Sequence, residues 1–339
     1  MPPHPHRPPE LAWQVFRGSD VVRRGLLTRH QLRGASWVRL RQDVYADARL
    51  DRDHTLACRA ALLRLPPEAV IAGPSAAYLH GVEHAAGFED AVHVVLPAAV
   101  RADSQPGVRV HHAPSAPERN GLLVAAAGSA GSRFRPGSAA IGSRGTALTA
   151  DAPGPADGEP GPLGRPPRRG PAECAWETAV WSDPLRAVAV IDTLLRRGLV
   201  SRAGLAALAD RDAGRPGGRR ARWVFGLADP GAQSPPESHL RVRLVLAGLP
   251  RPVARHPVRG PEGLVLHPDL AWPAFRVAVE YDGQWHSDLD QLHRDRRRLD
   301  QLVGAGWLVL YVTGRRLHRE FPALVREIRA ALVTRGWRP

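Results

Sequence analysis

Between residues 269 and 282 apolar and polar positions alternate on both sides of a Pro273-Ala274-Phe275 interruption. This predicts two short strands, 269–272 and 276–281, joined by a tight connection. With the turn centred on Ala274 and Phe275, Trp272 falls opposite Val277, Ala271 opposite Ala278, and Asp269 opposite Glu280. Directly opposed residues share a face, and strand alternation adds Asp282 to the face of Glu280. One face then carries Asp269, Ala271, Ala278, Glu280 and Asp282. The other carries Leu270, Trp272, Val277, Val279 and Tyr281, and is expected to be core.

The surrounding pattern supplies the elements that would flank this hairpin. Ser234-Pro235-Pro236-Glu237 has capping-box spacing with proline at the first helical position, so a helix is expected over 234–247, ended by Gly248 and Pro250. A strand over 253–259 and a turn at 260–263 precede residues 264–267. Residues 289–303 place Leu289, Leu292, Leu299 and Leu302 at helical spacing, with Arg294, Arg297, Arg298 and Gln301 mostly on the other side. A compact apolar strand at 307–313 and a last helix at 321–333 complete the order α-β-β-β-α-β-α. Such an order fits a mixed sheet flanked by helices.

The amino-terminal pattern predicts a second, smaller α+β unit. Thr28 and Gln31 have capping-box spacing for a short helix through Arg33, and residues 37–45 alternate like a small hairpin or wing. A helix is expected over 56–65, a second one at 76–80 capped by Ser75, and a strand pair at 91–96 and 108–112. Residues 113–172 are dense in Pro, Gly, Ala and Ser, which predicts a disordered linker whose 165–169 arginine run is a solubilising patch. Helical spacing over 176–195, a cap at Ser201 and a basic, glycine-rich stretch at 215–222 suggest a helical connector. The fold class is therefore α/β in the broad, α+β sense, divided as 1–112, 113–172, 173–233 and 234–339.

Clustered carboxylates repel one another unless paired, so the Asp269, Glu280 and Asp282 face calls for a cation. Hard oxygen donors suit Mg²⁺, with Mn²⁺ as a substitute, and such an ion would polarise a phosphate and activate water. His286 is placed to move a proton near neutral pH. Each residue has a plainer alternative. Asp282-Gly283 is also a turn dipeptide, Glu237 a helix cap, His286 a surface histidine, and Arg294, Arg297 and Arg298 a solvated helix face rather than a phosphate grip. His267 reads as structural.

Pro268-Asp269, Glu280-Tyr281-Asp282-Gly283, His286, Asp295-Arg296-Arg297-Arg298 and the run Gly306 through Thr313 resemble the nuclease domain related to very-short-patch-repair endonucleases, within the PD-(D/E)XK superfamily. The resemblance covers 234–339 and is of the kind met in actinobacterial proteins. It implies a restriction-endonuclease-like sheet and Mg²⁺-dependent hydrolysis of DNA phosphodiester bonds, in repair, restriction or defence. It further implies Asp269 and Glu280 as metal ligands, an acid on the first helix at Glu237, and histidine proton transfer by His286. The chain departs from the superfamily in having no lysine at all, and Asp282 stands at the lysine position. Arginine stays protonated and cannot replace that lysine as a proton carrier. The alternative is a non-catalytic DNA-binding or antitoxin-like regulator that keeps the scaffold.

Leu26 through Leu32, Asp43-Val44-Tyr45 and Ser75 through Gly81 resemble the amino-terminal region of AbiEi-type antitoxin-like proteins, which carry a winged-helix element. Only Gly34, Ala35 and Ser36 separate Arg33 from Trp37, so a recognition helix of useful length is not expected. The unit would then read DNA, or serve packing or contact with a protein partner.

Charge modestly strengthens a DNA partner: 47 basic residues, all arginine, against 33 acids give a net +14. Arginine also rises with GC-rich coding, which the Ala, Gly and Pro content suggests. Two cysteines, Cys58 and Cys174, are too few for a zinc cluster and read as reduced thiols. No apolar run approaches a membrane span, and the start lacks a signal-peptide core, so a cytoplasmic location without a membrane partner is expected.

Overall fold

The computed structural model describes residues 7–113, 164–261, 263–282 and 289–339, with side chains in the helix from Leu289 described from Arg297 onward. It is a mixed α+β chain built on several small sheets. Among the described residues no helix is long and apolar enough to cross a membrane. The expected linker stretch 114–163 lies outside the described residues.

The chain opens with β1 (Val15–Arg17), α1 (Gly18–Arg23) and the hairpin β2 (Trp37–Arg41) and β3 (Val44–Asp47), which form an antiparallel sheet ordered β1-β3-β2. Phe16, Val21, Leu27, Leu32 and Trp37 make its small core. Thr28 and Gln31 exchange the expected capping bonds, at 2.7 and 3.2 Å. The helix they open is a single 3₁₀ turn, Gln31–Arg33, because Gly34 turns extended. Nothing of recognition-helix length stands between Leu26 and β2.

Next come α2 (His54–Leu62), β4 (Val70–Ile71), α3 (Gly73–Leu79), β5 (Val92–Leu96) and β6 (Val108–His112), the strands ordered β4-β5-β6 with β5 and β6 parallel. Ser75 is not the cap expected of it. Pro74 at a first-turn position lets α3 start earlier, after Ala72, and buried Ser75 instead takes the His93 N–H at 3.0 Å and meets His54 Nε2 at 2.8 Å.

The expected connector is α4 (Pro171–Trp181), α5 (Pro184–Arg196), α6 (Arg202–Arg211) and α7 (Gly218–Leu227). These helices do not merely connect. Cys174, Trp176, Ile191 and Leu194 share one core with Cys58, Ile71, Ala77 and Val94. The unbroken buried run Ala187 through Leu194 of α5 must be covered on several faces, and α3, α4, α7 and, from further along the chain, α8 (Pro235–Leu246) pack around it. The end of the expected linker is likewise ordered: Arg169 pairs with buried Glu177 at 2.9 Å, so it is no solubilising patch.

The carboxy-terminal part contains α8 (Pro235–Leu246), β7 (Val253–Ala254), β8 (Val258–Arg259), β9 (Val265–Leu266), β10 (Leu270–Trp272), β11 (Val277–Asp282), α9 (Leu289–Gly304), β12 (Leu308–Thr313), α10 (Gly314–Arg319) and α11 (Phe321–Thr334). The expected strand over 253–259 is two pieces, because Arg255 adopts φ 56° and breaks the extended path. β8 then pairs with β9 as a separate ribbon, while β7 joins the main sheet, ordered β12-β11-β10-β7. The β11–β12 pair is parallel and the β10–β11 and β10–β7 pairs antiparallel, so the sheet is mixed. Leu270, Trp272, Val277 and Val279 face α8 and α11 through Leu240, Leu244, Leu324 and Ile328.

Candidate metal centre

The β10–β11 register is the one expected from the turn: Trp272 opposite Val277 and Ala271 opposite Ala278. The connection is one 3₁₀ turn over Pro273–Phe275, closed by Arg276 in the left-handed region. Ala271 and Ala278 are not open space, since Leu302 of α9 and Trp307 cover them. That cover ends where the strands reach Asp269 and Glu280, and there the two carboxylates meet an arginine instead of a leucine.

Asp269 Oδ2 accepts the Tyr281 N–H at 2.8 Å, and Oδ1 lies 4.0 Å from Arg255 Nη1. The Asp269 carbonyl also accepts the Arg255 N–H at 3.2 Å, so the left-handed Arg255 brings its own guanidinium towards the site. Glu280 faces Arg298 of α9. Arg298 Nη2 lies 3.1 Å from Oε1 but is aimed at Oε2, 3.5 Å away, and it donates to the His267 carbonyl at 2.6 Å. Oε1 of Glu280 is therefore buried without a hydrogen bond.

Burial raises Asp269 to about 6, helped by the Glu237 charge and opposed by the Tyr281 N–H and by Arg298 and Arg255. Burial raises Glu280 to about 7, with the Asp269 charge adding to it and Arg298 opposing it. Desolvation and mutual repulsion thus outweigh both arginines. The cationic charge in place leaves the pKa of Asp269 only a little below neutral pH and that of Glu280 close to it, so the pair is not fully ionised there.

Glu237 closes a variant of the capping box, reaching the backbone N–H of the residue before the Ser234 cap. Its side chain takes the Gln233 N–H at 2.9 Å and the Ser234 hydroxyl at 2.8 Å, and Ser234 Oγ accepts the Glu237 N–H at 3.4 Å. It is nevertheless buried close enough to act on Asp269. The two readings of this residue are compatible: it caps α8 and brings a third carboxylate to the edge of the pair. Asp282 is exposed as the last residue of β11, in register with Thr313, while Gly283, the other half of the expected turn dipeptide, lies outside the described residues. His286 and the Arg294 side chain lie outside the described residues. Arg297 is exposed, whereas Arg298, expected on a phosphate-gripping face, is turned inward onto Glu280 and His267.

The sequence reading missed Arg255 and its left-handed backbone. It also missed the ion pair of Asp192 with Arg241, each 1% exposed and 2.6 Å apart, which ties α5 to α8 and so fixes the helix that carries Glu237. A lone acid inside the apolar run Val188 through Leu195 was the available signal.

These shifts fix a pH dependence for the metal-free protein. From pH about 4 to about 7 the folded chain holds protons on Asp269 and Glu280 that the unfolded chain has released, so stability falls as pH rises through that window. Thermal unfolding in EDTA is expected to show this fall. Added Mg²⁺ or Mn²⁺ should raise Tm clearly at pH 8 and hardly at pH 5, and equal metal effects at both would contradict the shifts.

Two proteins of Mycobacterium tuberculosis, from the CDC 1551 and H37Rv strains and both described as uncharacterized, are each 32% identical to this chain over 151 residues. The match takes in 44% of this chain and 56% of each relative, so the chain spans just over half the length of the curated relatives it matches. No family model and no solved structure matches.

Proposed function

We propose that residues 234–339 form a metal-dependent nuclease domain of the PD-(D/E)XK kind, hydrolysing DNA phosphodiester bonds in a repair, restriction or defence setting. One observation carries the reading. Two largely buried carboxylates, Asp269 just before β10 and Glu280 on β11, stay under-compensated by Arg255 and Arg298, and Oε1 of Glu280 lacks a hydrogen bond. Oxygen donors of this kind fit Mg²⁺, or Mn²⁺ in its place. Asp269 and Glu280 would hold the ion, with Glu237 and Asp282 adding negative charge at the edges. Bound there, the metal would supply Lewis-acid polarisation of the scissile phosphate and a lowered pKa for water.

The chain's own residues do the positioning. The Tyr281 N–H fixes the Asp269 carboxylate, and Arg298, itself anchored on the His267 carbonyl, fixes that of Glu280. With lysine absent from the chain, proton transfer falls to His286, which the resemblance favours.

A second reading has one observation of its own. Arg298 already gives Glu280 an internal counter-charge, as expected of a scaffold kept by a non-catalytic DNA-binding or antitoxin-like regulator. Plasmid cleavage in Mg²⁺ or Mn²⁺, compared between the wild type and Asp269→Ala, separates the two. The nuclease reading expects cleavage that the substitution removes. Undiminished cleavage by the variant would contradict the site, and no cleavage in any divalent metal would favour the regulator.

A further inference from the structure

Arg298 comes to the carboxylate pair from α9 and divides one nitrogen between two kinds of acceptor. Its Nη2 lies 3.1 Å from Glu280 Oε1 and 3.5 Å from Oε2, and the same nitrogen donates to the His267 carbonyl at 2.6 Å. A contact of 3.5 Å is at the outer limit of a hydrogen bond, so the firm bond is the one to the carbonyl. The hold on Glu280 is mainly charge. That charge reaches both acids, since Arg298 opposes the burial that raises Asp269 as well as Glu280.

A guanidinium in this position stands where a divalent ion would be an unwelcome neighbour. Nη2 lies against Glu280 Oε1, the oxygen that an ion shared with Asp269 would need, and Arg255 adds a second positive group 4.0 Å from Asp269 Oδ1. Like charges so close in a half-buried site repel one another strongly. Arg298 is the nearer of the two arginines to its carboxylate, and it has a way out. Its side chain is 37% exposed on a long flexible stem, whereas that of Glu280 is 13% exposed and stays with β11.

We propose that Arg298 is an internal competitor of the divalent metal: in the metal-free protein its guanidinium neutralises Glu280, and metal binding exchanges that guanidinium for the ion and turns Arg298 out to water. This exchange presupposes the metal-binding role proposed above for Asp269 and Glu280, and adds its control. The affinity of the free chain for metal is then lower than the carboxylates alone would give, because the competent state is the fraction in which Arg298 has left Glu280. Arg298 acts here through the metal site and is a positioning residue.

Electron paramagnetic resonance of free Mn²⁺, titrated into the full metal-free chain at pH 8 without DNA, reads the exchange independently of cleavage. Wild type, Arg298→Gln, Arg298→Lys and Glu280→Gln are compared. Arg298→Gln is expected to bind Mn²⁺ about fivefold tighter than wild type or more, as removal of a partly exposed ion pair implies, while Glu280→Gln loses the site. Arg298→Lys keeps the charge but replaces the fork by a compact ammonium, and should lie between wild type and Arg298→Gln. An arginine with a merely structural role would lower the melting temperature when replaced without tightening the metal. Mn²⁺ bound by wild type, and equally or more weakly by Arg298→Gln, overturns the exchange and leaves the metal site standing. Failure of both to bind Mn²⁺, or binding that Glu280→Gln leaves unchanged, overturns the metal site and the exchange with it. Should Arg298→Gln fail to fold, Arg298→Lys carries the comparison: tighter binding than wild type supports the exchange, and unchanged or weaker binding overturns it.

Discussion

Under the proposed nuclease function, Asp269→Asn and Glu280→Gln are each expected to lower metal-dependent DNA cleavage by the order of a hundredfold to a thousandfold, while making the metal-free protein more stable at pH 8. The two effects have one cause. Both carboxylates are held where their ionised forms are disfavoured, at about 6 for Asp269 and about 7 for Glu280. At pH 8 the fold therefore carries a penalty on the order of a few kcal/mol for keeping the pair charged, which a neutral isostere removes. Asn at 269 keeps an oxygen for the Tyr281 N–H. Gln at 280 deprives Arg298 of its partner, but the Arg298 side chain is 37% exposed and can turn to water. Neither variant should respond to Mg²⁺ in a melting experiment at pH 8, where the wild type gains stability. A merely structural ion pair would behave in the opposite way, with both variants less stable and cleavage untouched.

Asp192→Ala is expected to cost about 3–5 kcal/mol, the largest single-site loss of stability foreseen. Asp192 takes three donors at once: Arg241 Nη2 at 2.6 Å, Ser238 Oγ at 2.7 Å and the Asp229 N–H at 2.6 Å. Arg241 also donates to the Leu227 carbonyl. Burial raises Asp192 even against the Arg241 charge, so the pair adds little net stability while ionised. Removing one partner alone is another matter, because a guanidinium 1% exposed is left without a carboxylate. Replacing both, as Asp192→Leu with Arg241→Met, should recover most of the loss. Chemical denaturation of the single and double variants checks this, and a double variant no more stable than Asp192→Ala would show that the neighbouring bonds, not the charge, hold α5 to α8.

The hairpin was legible because side-chain direction in a strand follows from position, so placing the turn placed Ala271 against Ala278 and left two carboxylates facing the same way. The α8 cap was legible for the same local reason, since Ser234 and Glu237 are one turn apart. What decides the character of the site lies further along the chain. Leu302 and Trp307 cover the alanines, and Arg298 reaches Glu280 from another element, contacts that no short window of sequence contains. The same holds for α4 and α5, which pack on α3 and share one core with residues that precede 113. Local propensity gave those helices but not what they cover. Ser75 shows the converse, a good capping residue drawn into the core because Pro74 starts the helix sooner.

The central claim is that Asp269 and Glu280 jointly hold a divalent metal. A crystal soaked in Mn²⁺ at pH 8, with data collected at the manganese edge, tests it most directly. An anomalous peak bound by one carboxylate oxygen from each residue, with Glu280 Oε1 as a ligand, is the predicted result. No peak there, with Arg298 still on Glu280, would contradict it.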